Sequence, residues 1–208
     1  MIRNVVFDMG GVLRDFDPEY ILSSFGISDP DDILAVRRES FDTSYWVDVD
    51  RGTLLDDDAV ALMCPRMPER LRAAAEDAIR NWWTLPVRKV EGMDELIAEI
   101  HSLGYRLYIL SNASAHLHQY CDQLPGAQYF DGIFVSADWK LVKPEREIYE
   151  KFWEHFGLDP AECLFIDDNN VNVSESRHFG MDAITFFHDV PRLRRQLREK
   201  GIMVSEQG

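Results

Sequence analysis

The residues best suited to chemistry in this 208-residue chain are Asp8, the pair Ser111 and Asn112, Lys143, and the pair Asp167 and Asp168. Asp8 ends the apolar run Val5-Val6-Phe7 and precedes Met9-Gly10-Gly11. A single carboxylate therefore stands where glycines let the backbone turn tightly and bring N–H groups against an anion. Lys143 lies in Lys-Leu-Val-Lys-Pro, and the acidic pair lies in Phe-Ile-Asp-Asp-Asn. Three carboxylates can hold a hard divalent cation such as Mg²⁺ through oxygen, while a lysine and a hydroxyl can hold phosphate oxygens. The cation relieves the repulsion among the carboxylates and leaves one free to attack phosphorus in line. Taken singly, each group has a plainer use. Asp8 suits a turn, Ser111 and Asn112 suit the cap of a helix beginning near Ser114, and Lys143 suits a solvated loop with Lys140 as its competitor. Asp167 and Asp168 suit a cap and turn, but adjacent carboxylates after an apolar strand are costly without a cation.

Elements must bring these separated groups together. Short apolar runs rich in β-branched and aromatic residues at 5–7, 106–110, 133–135, 163–166 and 183–187 predict buried parallel strands. Helical patterns lie between them at 94–103, 114–124, 145–156 and 171–179, three of them closed by Gly104, Gly157 and Gly180. Alternation of this kind predicts an α/β doubly wound parallel sheet, in which the carboxyl ends of the strands share one crevice. Residues 15–86 contain helical segments and no convincing strand. Asp17-Pro18 and Asp29-Pro30 read as caps followed by first-turn prolines, Asp56-Asp57-Asp58 as a helix start, and 68–83 as one long helix. The expected organisation is a core of residues 1–14 and 87–208, with 15–86 a small all-helical cap placed to cover Asp8 as a lid. Tyr45, Trp46, Trp82 and Trp83 would either hold the cap together or wall a pocket for a sugar ring.

Composition narrows the partners. Lys and Arg number 22 against 37 Asp and Glu, a net charge of −15, which argues against nucleic acid and anionic membrane surfaces. Cys64, Cys121 and Cys163 have neither metal-ligand nor disulfide-framework spacing, and the six histidines follow no zinc pattern. Without a leader-like N-terminus or an apolar stretch of about 18 residues, a cytoplasmic protein is expected.

With Asp8, Ser111-Asn112, Lys143 and Asp167-Asp168 in this order, the chain resembles the haloacid dehalogenase (HAD) superfamily, in particular phosphatases with a helical cap after the first motif. The resemblance covers nearly the whole chain. It implies that Asp8 forms a phosphoaspartyl intermediate, and that Asp8, the Gly10 carbonyl and Asp168 hold Mg²⁺, with Asp167 as a further ligand or a supporting partner. It further implies that Ser111 and Lys143 bind the phosphoryl group with Asn112 nearby, and that Asn172 orients the metal site or Lys143. Most phosphatases of the superfamily carry a second aspartate two residues after the nucleophile, where this chain has Gly10. Loss of a general acid/base costs about 10² to 10⁴ in rate. Similarity to bacterial proteins with Asp-x-Gly suggests a sugar-phosphate phosphatase acting on an anomeric phosphate, such as glucose 1-phosphate, whose leaving group needs less protonation. Asp15 or Asp17 offers another repair, as does a group on the cap or substrate. The expected activity is Mg²⁺-dependent hydrolysis of a small phosphorylated metabolite. The alternatives are carbon–halogen hydrolysis and a catalytically weak binding protein.

Overall fold

The computed structural model describes residues 1–206. Five strands, β1 (Asn4–Phe7), β2 (Arg106–Ser111), β3 (Gly132–Val135), β4 (Cys163–Asp167) and β5 (Asp182–Thr185), form one parallel sheet in the order β3-β2-β1-β4-β5. Phe7 is in register with Ile109 of β2 and Ile166 of β4. Asp8 and Asp167 therefore leave the sheet at one level. The strand order reverses about β1, so Asp8 sits at the switch point where such sheets open a crevice.

The strands are buried on both faces, and the period of two sorts their side chains. Val5, Phe7, Leu107, Ile109, Leu164 and Ile166 join one apolar cluster, while Val6, Tyr108, Leu110 and Phe165 join the other. Helices cover both: α6 (Met93–Ser102), α7 (Leu117–Tyr120), α8 (Ser136–Trp139), α9 (Arg146–Phe156), α10 (Asn170–His178) and α11 (Val190–Glu199) follow the helices between β1 and β2. Those earlier ones are α1 (Pro18–Ser24), α2 (Pro30–Glu39), α3 (Ser44–Asp50), α4 (Asp56–Met63) and α5 (Arg72–Asn81), with no named strand among them. The expected caps are formed, since Asp17 accepts from the amides of Glu19 and Tyr20, and Asp29 from those of Asp31 and Asp32. The first apolar cluster continues from the sheet into these helices through Trp46, Val60 and Ile79.

Two expected helices are shorter than their patterns. Residues 114–124 yield only the four-residue α7 and one 3₁₀ turn, since Tyr120 leaves the helical path at φ −134°, and Leu124, which precedes Pro125, is extended at ψ 152°. Residues 68–83 break into a 3₁₀ turn, α5 and a second 3₁₀ turn beginning at Trp82, whose ring packs edge-on to Phe16 at 5.4 Å. Helices α8 and α11 add to the expected set. Among the described residues, no helix is long and apolar enough to cross a membrane.

Candidate active site

At the carboxyl ends of the strands lies a cavity of about 610 Å³ lined by Asp8, Gly10, Asn112, Lys143, Asp168 and Asn172, among others. Lys143 is its electrostatic centre. The buried ammonium lies 2.8 Å from Asp8 Oδ1 and 2.7 Å from Asp167 Oδ2, and donates to the Leu110 carbonyl at 3.0 Å. Burial works against this ammonium, but Asp167 and Asp8 outweigh it and hold its pKa above the ordinary lysine value. Asn112 clamps the Lys143 backbone from both sides, its Oδ1 accepting from the Lys143 amide at 2.7 Å and its Nδ2 donating to the Lys143 carbonyl at 2.9 Å. Lys140, the competing lysine, reaches the Gly52 carbonyl at 2.5 Å.

The two adjacent aspartates have different surroundings. Asp167 is fully buried, and both its oxygens are engaged: Oδ1 accepts from the Asn169 amide, Oδ2 from Lys143, and Asn172 Nδ2 donates to each. Asp168 is the more open of the two and lines the cavity. Burial, then the neighbouring Asp167 charge, raises the Asp168 pKa, with Lys143 and His188 pulling against them. Asp8 is pushed up to about 7 by burial, against the pull of Lys143, with Asp167 and Asp168 adding to the rise. Single oxygens of Asp8, Asp167 and Asp168 lie within 4.8 Å of one another. A surplus of carboxylate charge at this spacing is the chemistry of a hard-cation site, and a divalent ion would stabilise all three charged forms. The backbone makes room for Asp168, since a Cβ on Gly11, at φ +71°, would fall 2.1 Å from Asp168 Oδ2.

Ser111 is placed differently. It is fully buried, its Oγ has no hydrogen-bond partner among the described residues, and the cavity is lined by its successors Asn112 and Ala113. Asp15 and Asp17 reach the cavity and share Arg88, at 3.8 and 2.8 Å. Trp46 and Trp82 also line it while buried against each other, whereas Trp83 stacks on His116 and Tyr45 lies under Arg66.

Several cavity residues had escaped the reading of the sequence. His188, in the left-handed region at φ 53°, and Arg88 carry no local signal. Asp50 has one, an acid two residues before Gly52 at a helix end.

A model of haloacid dehalogenase-like hydrolases matches residues 2–180. A sesquiterpene phosphatase of Aspergillus oryzae is 28% identical over 180 residues, 86% of this chain and 87% of that protein. A D-ribitol-5-phosphate phosphatase of Bacteroides thetaiotaomicron is 25% identical over 200 residues, covering 88% and 91%, and an (S)-2-haloacid dehalogenase of a Pseudomonas species 28% over 192 residues, covering 88% and 82%. Among solved structures, a HAD family enzyme from Bacteroides thetaiotaomicron in complex with magnesium and inorganic phosphate shares the fold, with a TM-score of 0.68 at 22% identity over 93% of this chain and 99% of that one. The matched span includes every residue of the site described above except His188, and the chain belongs to the haloacid dehalogenase-like hydrolases.

Proposed function

We propose that this hydrolase is a Mg²⁺-dependent phosphatase of small phosphate monoesters that works through a phosphorylated Asp8. The observation that carries the reading is the Lys143 ammonium shared by Asp8 and Asp167, with the free carboxylate of Asp168 in the same cavity. Asp8, Asp168 and the Gly10 carbonyl would hold the ion, with Asp167 supporting both it and Lys143. Bound there, Mg²⁺ would neutralise charge on the phosphoryl oxygens. Asp8 attacks phosphorus, and Lys143 stabilises the equatorial oxygens through the transition state. Asn112 keeps Lys143 in position. Ser111, whose buried hydroxyl lacks a partner among the described residues, is the remaining candidate for a phosphoryl contact. The helices between residues 15 and 86 act as the cap, contributing Trp46 and Trp82 as an apolar wall that suits the carbon face of a sugar or polyol phosphate. Two relatives named as phosphatases favour this chemistry, and the ribitol phosphate named for one of them favours a polyol or sugar substrate.

The similarity to a haloacid dehalogenase supplies the competing reading, in which Asp8 displaces halide from carbon. Phosphate release from a panel of sugar and polyol phosphates, with and without Mg²⁺, separates the two when wild type is compared with Asp8→Asn. The expected result is Mg²⁺-dependent release abolished by the substitution. Halide release from 2-haloacids without Mg²⁺ would establish the dehalogenase reading. Mg²⁺ binding with neither product released would identify a binding protein.

A further inference from the structure

Position 10 is a glycine where the resemblance implies a proton donor, and a Cβ built there would meet no atom within 4 Å. The space is open and the carboxyl is absent. Besides Asp8 and Asp168, three carboxylates line the cavity: Asp15, Asp17 and Asp50. Asp17 is already committed. Its Oδ1 caps α1 and its Oδ2 pairs with Arg88 at 2.8 Å. Burial works against the charged form of Asp17, but Arg88 and the two capping amides prevail and keep its pKa low. Asp15 is 40% exposed and faces the same guanidinium.

Asp50 ends α3, and its turn is fastened to the sheet side of the molecule. The Asp50 carbonyl accepts from Ser136 Oγ at 2.5 Å, the Gly52 carbonyl accepts from Lys140, and Arg51 makes two hydrogen bonds to Glu145 at 2.8 and 2.6 Å. Ser136 Oγ in turn accepts from the Ala113 amide at 2.8 Å. The approach is close enough to need a glycine, for a Cβ on Gly52, at φ +72°, would lie 2.6 Å from the Ala137 carbonyl. Asp50 borders the same cavity as Asp8 and Lys143.

Resting on the phosphatase reading, we infer that Asp50 is the catalytic residue that replaces the missing proton donor at Gly10. In the first step an Asp8 oxygen bonds to phosphorus, the bond from phosphorus to the leaving oxygen breaks, and the Asp50 carboxyl gives that oxygen its proton, releasing an alcohol. In the second, the Asp50 carboxylate takes a proton from water as the water oxygen bonds to phosphorus. The bond between Asp8 and phosphorus breaks, returning the Asp8 carboxylate, inorganic phosphate and protonated Asp50. Burial first, and then the charge of Asp8, raises the Asp50 pKa well above the ordinary aspartate value, with the Ser114 amide and Lys143 opposing. Asp17 pairs with Arg88 and Asp15 faces it, which leaves Asp50 as the cavity acid outside that guanidinium.

The test uses leaving groups of different basicity. Rapid-mixing assays compare wild type and Asp50→Asn on a polyol phosphate, whose alkoxide must be protonated, and on p-nitrophenyl phosphate, whose phenolate leaves unaided. The substitution is expected to slow the first step on the polyol ester by about 10² to 10⁴ and on the aryl ester by less than about tenfold. The aryl ester should also show a burst of nitrophenolate, because water is no longer activated in the second step. Adding Gly10→Asp to Asp50→Asn, which the open space permits, should restore polyol-phosphate turnover. Equal losses on both esters with no rescue would make Asp50 structural and overturn the inference, as would unchanged rates. A wild type that releases phosphate from neither ester would overturn the phosphatase reading and take this inference with it.

Discussion

Gly10 and Gly11 are adjacent, yet the site asks opposite things of them. A Cβ at Gly10 enters empty space, whereas one at Gly11 would strike the Asp168 carboxylate and would also have to adopt φ +71°. Gly10→Ala should therefore leave thermal stability and Mg²⁺ affinity within about twofold of wild type. Gly11→Ala should weaken Mg²⁺ binding at least about tenfold, since a displacement near 1 Å is ruinous to a ligand set with fixed distances. Isothermal calorimetry on both variants checks the contrast, and equal Mg²⁺ affinities would separate Asp168 from the metal site. Lys143 illustrates the same economy, because the ammonium that is to meet the phosphoryl group also holds Asp8 and Asp167 together in the free protein. Such a buried cluster is stable only while every charge has a partner.

At the scale of elements, the decisive contact is the docking of the end of α3 on the sheet side. It joins residues 50–52 to Ser136, Lys140 and Glu145, more than 80 positions away in each case. Lifting these helices away from the sheet at this point would break all three contacts. Gly52→Ala forces a side chain against the Ala137 carbonyl in a backbone region that disfavours it, at a cost of roughly 1–3 kcal/mol. The expected outcome is a lower melting temperature together with a slowing of the first step on the polyol ester that exceeds that on p-nitrophenyl phosphate, as Asp50 moves. Thermal denaturation and rapid-mixing rates of the first step on the two esters measure it.

Across the whole molecule, the C-terminal segment is held by charge. Arg194 of α11, nearly fully buried, pairs with Glu99 of α6, and Glu99 also accepts from the Ser205 amide at 2.5 Å. Burial raises the Glu99 pKa, but Arg194 and Ser205 overcome it and leave the pKa below the ordinary value of 4.5. A depressed folded pKa stabilises the protein above the unfolded value, and that contribution is lost as pH falls through the folded pKa. Glu99→Gln should therefore lower the melting temperature at pH 7, and the gap to wild type should close as the pH is taken below 4.5. A gap independent of pH would remove the charge from the explanation. The information legible in the order of residues is local and periodic. Apolar runs specified five buried strands, caps such as Asp17 and Asp29 specified helix starts, and their alternation required a doubly wound sheet whose switch point receives Asp8. The breaks inside the 114–124 and 68–83 patterns were not legible, since Pro125 lies beyond the first and the packing of Trp82 on Phe16 is tertiary. Which polar groups meet is settled only when the chain has folded. Asn112 turned to Lys143, Lys140 turned away to Gly52, Ser111 sank beneath its neighbours, and Asp50 arrived at the cavity. The physical reason is one of range: periods of 2 and 3.6 residues are written in neighbouring side chains, but a contact across 80 residues exists only once both segments have packed against the same sheet.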